Sequence, residues 1–352
     1  MTPKIFITGV TGYIGGDALY ALNKAHPDYE YSALIRSEDK AKAVTKVYPN
    51  VRSVIGGLDD SKIIRDEAAK ADIVLHTADA SDHEGAAKAI AEGLATGHSK
   101  GKPGFWLHTG GTGILTYFDT KDEKLGEWNE KVFNDWDGVE ELTTLPDEAF
   151  HRNVDKIVLE AGTKNADAVK TALVAPPTIY GRGRGPVSSR SRQAYELAKL
   201  VLQKGYAPIV GEGKARWNQL HIHDLSDLWV LLVDAAVSKK LDQEIWGAKG
   251  YYLAVNGEFV WGEVARQVAK AAAEKGYIKK DWKDQPLSKD EAFEVADFQA
   301  VSWGLNSRGK GERAGKVLGW KPHRPKLEKV IPEIVDDEKE RLEKQYKLAY
   351  GG

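Results

Sequence analysis

The sequence predicts an α/β fold: a doubly wound parallel sheet with a smaller C-terminal substrate-binding part. Two observations carry this. Short apolar, β-branched runs alternate with helical stretches from Lys4 to Ala175, which implies right-handed crossovers and a parallel sheet covered on both faces. The first run, Lys4 to Thr8, also leads into Gly9-Val10-Thr11-Gly12-Tyr13-Ile14-Gly15-Gly16 and then into a helix from Asp17. Strand, glycine turn and helix in immediate succession form a phosphate cradle, the mark of a Rossmann-type sheet.

In that turn Gly9 allows a tight reversal, Gly12 removes the Cβ that would meet a pyrophosphate, and Gly15 lets the helix pack closely on the sheet. The spacing is G-x-x-G-x-x-G. Further strands are expected at Tyr29 to Ile35, Val51 to Ile55, Asp72 to Ala78, Phe105 to Thr109 and Val169 to Ala175. Helices are expected at Glu38 to Val47, Lys62 to Lys70, Gly85 to Thr96 and Asp147 to Ala161, the last with Pro146 and Asp147 at its start and Gly162 at its end. A polar insert from Phe118 to Pro146, carrying Trp128 and Trp136, reads as a surface excursion or lid. Beyond the loop Arg182 to Arg192 come helices at Gln193 to Lys204, Leu225 to Val237 and Pro332 to Lys347. The division is therefore 1–180, also receiving 216–240, for dinucleotide binding, and 181–215 with 241–352 for the smaller part.

Composition narrows the function classes. A chain of 352 residues buries a full core, and its formal charge of -2 creates no field for nucleic acid or an anionic membrane. Cys is absent, which excludes disulfides, thiolate catalysis and cysteine zinc sites. No run approaches the ~18 apolar residues of a membrane span. The first strand begins so early that no room is left for a signal peptide, so a cytoplasmic protein is expected. The ten Trp are scattered and read as core.

Several separate motifs resemble the extended short-chain dehydrogenase/reductase family, especially its atypical, NmrA-like branch. TGVTGYIGG (8–16) resembles the family's nucleotide turn, and Gly57-Leu58-Asp59-Asp60 its acidic turn against adenine. His76-Thr77-Ala78 resembles its fourth-strand end, and PPTIYG (176–181) its proline segment beside the nicotinamide. LHIHDLSDL (220–228) and Arg313 to Pro322 resemble its later helix entry and C-terminal segment. The resemblance implies a dinucleotide held by Gly9, Thr11, Gly12, Tyr13, Ile14, Gly15, Arg36, Ser37, Leu58, Asp59, Thr77, Ala78, Pro176 and Thr178. Arg36, where NAD-selective members carry an acid, favours NADP through its 2′-phosphate, with NAD the alternative.

The family's Tyr-x-x-x-Lys is missing. The corresponding helix reads His151-Arg152-Asn153-Val154-Asp155-Lys156, and two registers fit: His151 with Asp155, or Arg152 with Lys156. His151 is the candidate acid/base, since an imidazole exchanges protons near neutral pH. Lys156 is the candidate ribose holder, and Thr109 the hydroxyl beside the reacting carbon. His221 and His223 read as helix entry, with no metal expected. Arg182, Arg184, Arg190 and Arg192, with Arg308 and Arg313, read as a solvated basic surface or an anion site. The function expected is an NADP-dependent oxidoreductase acting on a small carbonyl, hydroxyl or enone. Its alternatives are a sugar-nucleotide epimerase or dehydratase, and a non-enzymatic dinucleotide sensor with a protein partner. Val154, Ile157, Val158 and Ala161 form an apolar stripe that could support a homodimer or equally be buried against the sheet.

Overall fold

The computed structural model describes residues 2–350. Its central sheet begins with β1 (Lys4–Thr8), β2 (Glu30–Ile35), β3 (Val51–Ile55), β4 (Ile73–His76) and β5 (Gly104–Thr109), joined by α1 (Tyr13–Ala25), α2 (Glu38–Val47), α3 (Ser61–Lys70) and α4 (Glu84–Gly97). The strands Val169–Ala175 and Tyr251–Leu253 complete seven, in the order β3-β2-β1-β4-β5 and then those two, all parallel. Strand order reverses between β1 and β4, and this switch point opens the crevice in which such sheets bind ligands.

Period-2 alternation buries both faces of the sheet. Ile5, Ile7, Ile73, Leu75, Phe105 and Leu107 pack with residues of α1 and the helix Ile222–Val237, while Phe6, Val74 and Trp106 pack with α3, α4 and the helix Arg152–Lys164. A second core gathers the helices Gln193–Lys204 and Trp261–Glu274 with Ile331, Ile334 and Val335.

Four expectations change here. The strand Tyr251–Leu253 lies beyond the expected boundary at 241, yet it pairs with Val169–Ala175 as an edge of the large sheet. The helix expected from Asp147 starts at Arg152, because His151 takes a left-handed φ of +68° and breaks any earlier turn. Gly162 lies inside that helix rather than ending it: a Cβ there would stand 2.0 Å from Thr171 Oγ1, so glycine serves close packing. The stripe offered for self-association is turned inward, with Val154, Val158 and Ala161 buried against the sheet.

The polar insert works as a strap. Asp119 accepts hydrogen bonds from the backbone and side chain of Asn306, and Asp135 accepts from the backbone N–H groups of Leu253, Glu312 and Arg313. Trp128 lies against the guanidinium groups of Arg216 and Arg308, and Trp136 against Arg313 and Lys316. Buried carboxylates holding several donors make this a fixed tie between the two cores.

Candidate active site

A cavity of about 590 Å³ lies over the carboxyl ends of β1, β4 and β5, within the range of small-molecule and cofactor sites. Its floor is the glycine turn. Gly9 has a φ of +85°, and a Cβ there would stand 2.8 Å from the Ala78 amide nitrogen. A Cβ at Gly15 would stand 2.4 Å from the Gly9 carbonyl oxygen, so both positions need glycine for the fold itself. At Gly12 the nearest atom is the Gly9 oxygen at 3.2 Å, so the missing side chain there serves whatever enters the cavity. No side chain caps the N-terminus of α1, and its first turn carries no acid. Its free N–H groups and positive dipole end therefore suit a pyrophosphate. Leu34, Arg36, Gly57 and Leu58 line the far end, and Arg36 has no hydrogen-bond or ion-pair partner among the described residues. These residues fit a dinucleotide.

At the opposite end stands His151. Its left-handed backbone turns the ring into the cavity wall, where Phe150 lies over it at 3.7 Å between centroids. Nδ1 is 2.7 Å from Asp82 Oδ1, in the loop after β4. Burial alone would raise the Asp82 pKa, but the hydrogen bond and charge of His151 outweigh it and hold the carboxyl below its usual range. Nε2 faces the Gly111–Gly113 turn, since a Cβ on either glycine would come 3.1 Å from it. Thr109 and Thr112 border the same turn, line the cavity, and have buried hydroxyls without a partner among the described residues. A carboxylate that holds one ring nitrogen leaves the other free to exchange a proton.

The other imidazoles at this sheet edge behave differently. His76 bonds Thr8 Oγ1 at 2.7 Å, and its ring lies 5.4 Å from that of His108. Burial, with the neighbouring His83, pushes the His76 pKa down to about 3, and burial likewise holds His108 well below the usual range. Both rings are therefore uncharged near neutral pH. Asp155, one turn along the helix from His151, is fully buried and accepts from the Tyr251 hydroxyl at 2.9 Å. Burial raises its pKa to about 6 against the lowering effects of Tyr251, His151 and Arg152.

The structure brings Gly9, Thr11, Gly12, Tyr13, Ile14, Gly15, Arg36, Leu58, Thr77, Ala78, Thr109, His151 and Pro176 to one cavity. Four expected residues do not line it. Lys156 pairs with Asp147 at 2.8 Å on the outer side of the helix. Of the residues in the two registers, only His151 lines the cavity. Asp59 is solvent-exposed and faces His83, Ser37 caps α2 through the Lys40 amide, and Thr178 is buried behind the wall against Gln193. His221 accepts from the His223 amide and caps the helix that follows. Asp82, Phe150 and Phe298 escaped sequence reasoning. The acids Asp79 and Asp82 after β4 were the available signal, but nothing in sequence ties residue 82 to residue 151.

No protein-family model matches the chain. It is 42% identical over 348 residues to oxidase ucsJ of an Acremonium species, covering 97% of this chain and 99% of that protein. The chain belongs to the family of that oxidase. Among solved structures it is similar to UDP-glucose 4-epimerase of Thermotoga maritima with UDP-glucose, at a TM-score of 0.63 and 14% identity over 96% of this chain and 99% of that one. It is also similar to dTDP-glucose 4,6-dehydratase of Bacillus anthracis in complex with NAD, at a TM-score of 0.64 and 15% identity over 97% and 98%. At that identity the likeness shows the fold alone, a Rossmann-type α/β fold shared with these two enzymes.

Proposed function

We propose that the protein is an NADP-dependent oxidoreductase that interconverts a carbonyl and a hydroxyl on a small molecule, with His151 and Asp82 as its proton-transfer pair. The observation that carries this reading is the His151–Asp82 contact of 2.7 Å, set in the cavity that the glycine cradle floors. The oxidase name of the 42%-identical relative supports redox chemistry.

A nicotinamide dinucleotide bound here would accept or deliver hydride. The N–H groups of the α1 N-terminus would hold its pyrophosphate, and Arg36 would pair with a 2′-phosphate. In the reducing direction the His151 Nε2–H gives its proton to the oxygen of the substrate as hydride reaches its carbon. In the oxidising direction neutral Nε2 takes the hydroxyl proton. Asp82 holds Nδ1–H, fixing the ring and stabilising the imidazolium; the same logic orients histidine in hydrolytic triads. Thr109 and Thr112 donate to the same oxygen from the opposite side of the turn.

The test is to purify the chain under mild conditions and identify the retained dinucleotide by mass. NADPH consumption and NADP reduction are then measured with carbonyl, enone and alcohol substrates in the parent and in His151→Asn. Turnover in the parent that collapses in the variant is expected. A parent that binds dinucleotide but turns over no member of the panel would favour the sensor reading.

A further inference from the structure

Six arginines stand in or near the segments that could greet a substrate, and the structure sorts them. Arg184 grips Asp17 with Nε and Nη2, and Arg190 pairs with Glu338 and Glu196. Arg308 is bonded to Glu258, and Arg313 to the Asp135 carbonyl and Glu244. Arg182 borders a separate, smaller cavity. Arg192 alone among these lines the main cavity without a side-chain hydrogen bond or ion pair among the described residues. It stands at the start of the helix Gln193–Lys204, across the cavity from the loop after β4, and its charge reaches Asp82.

Beside it the wall is apolar. Phe150, just before the helix Arg152–Lys164, and Phe298, in the helix Lys289–Ser302, meet at 5.3 Å between centroids and remain 42% and 44% exposed. Phe298 owes its place to a break in its helix, where Asp297 takes a φ of +50°. Two half-exposed rings at a cavity mouth offer a face for a flat or apolar body. An unengaged guanidinium lining the same cavity offers two parallel donors to an acid group.

We infer that the substrate of this site is an amphipathic organic acid, with a carboxylate on Arg192 and an apolar body against Phe150 and Phe298. Arg192, Phe150, Phe298 and His151 line the same cavity, so one small molecule would meet all four. That arrangement favours an oxo or hydroxy acid over a substrate whose charge sits on a distant diphosphate. The inference rests on the reading of the cavity as the substrate end of a dinucleotide site.

The experiment titrates 4-phenyl-2-oxobutanoate and its ethyl ester into the full chain by calorimetry, with and without NADP, for the parent, Arg192→Gln, Arg192→Lys and Phe298→Ala. The parent is expected to bind the acid roughly tenfold more tightly than the ester. Arg192→Gln should erase that preference without changing NADP affinity, Arg192→Lys should restore part of it, and Phe298→Ala should weaken acid and ester alike. Equal binding of acid and ester by the parent, no binding of the acid, or a preference that survives in Arg192→Gln would overturn the inference. If the acid preference holds while the parent fails to bind NADP(H), the oxidoreductase reading falls and the acid site stands. If NADP(H) binds and no acid preference exists, the reverse is true.

Discussion

The two ends of the cavity are built in opposite ways. The cradle end is made of backbone from one contiguous stretch, residues 8–16, whose glycines are dictated by local sterics. The far end is made of side chains: His151 and Asp82 are 69 residues apart and meet only because α4 and the helix Arg152–Lys164 lie on the same face of the sheet. Backbone sites advertise themselves through residue types that nothing else can replace. Side-chain pairs become visible only when the fold has closed.

The sharpest way to break this comparison is at the cradle. Gly12→Val should leave the fold intact, because its nearest obstacle is a carbonyl oxygen at 3.2 Å, yet abolish NADP(H) binding in calorimetry. Gly15→Val should lose the fold as well, since its Cβ would stand 2.3 Å from Thr77 Oγ1. A folded Gly12→Val protein with parental affinity would remove the cradle from the account.

At the other end, His151→Asn should lower turnover by about 10²–10⁴-fold, the usual contribution of a general acid or base, while NADP(H) affinity stays parental. Loss of affinity in place of rate would make His151 a cofactor ligand. Arg36→Ala should come next in size, weakening NADP(H) by about tenfold, or about 1.4 kcal/mol, and NAD(H) hardly at all. Equal losses for both dinucleotides would reduce Arg36 to a surface for adenine.

A further effect is read in stability instead of affinity or rate. Asp155 has a folded pKa of about 6, above an unfolded value of about 3.9. Its contribution is thus fully present below pH ~4 and is lost as pH rises through ~6. Asp155→Asn keeps an acceptor for Tyr251 and removes the ionisation, so it should gain up to about 3 kcal/mol relative to the parent between pH 4 and 8. Urea unfolding at both pH values checks this; a difference between parent and variant that does not change with pH would contradict it.

Sequence reading reached the sheet and most of the cradle because strand periodicity and glycine placement are local properties. It misplaced the start of the helix after the insert, because Pro146 and Asp147 look like a helix entry while the left-handed turn at His151 is enforced by tertiary contacts. It placed Asp59 and Lys156 by analogy with the family pattern, and the structure turns both to solvent-side partners. The strap was read as a lid because its acids and tryptophans look like surface until their partners at 216, 306, 308 and 313 are brought near. Arg192 was one of several arginines in a basic loop, and only the engagement of the others singles it out.

The central claim is that His151 and Asp82 act as one proton-transfer unit. A double-mutant cycle on kcat/KM for NADPH-dependent turnover, using His151→Asn, Asp82→Asn and the double variant, tests it most directly. The account predicts strong non-additivity, with the double variant no slower than His151→Asn alone. Losses that simply multiply, or a His151→Asn protein with parental kcat/KM, would contradict it.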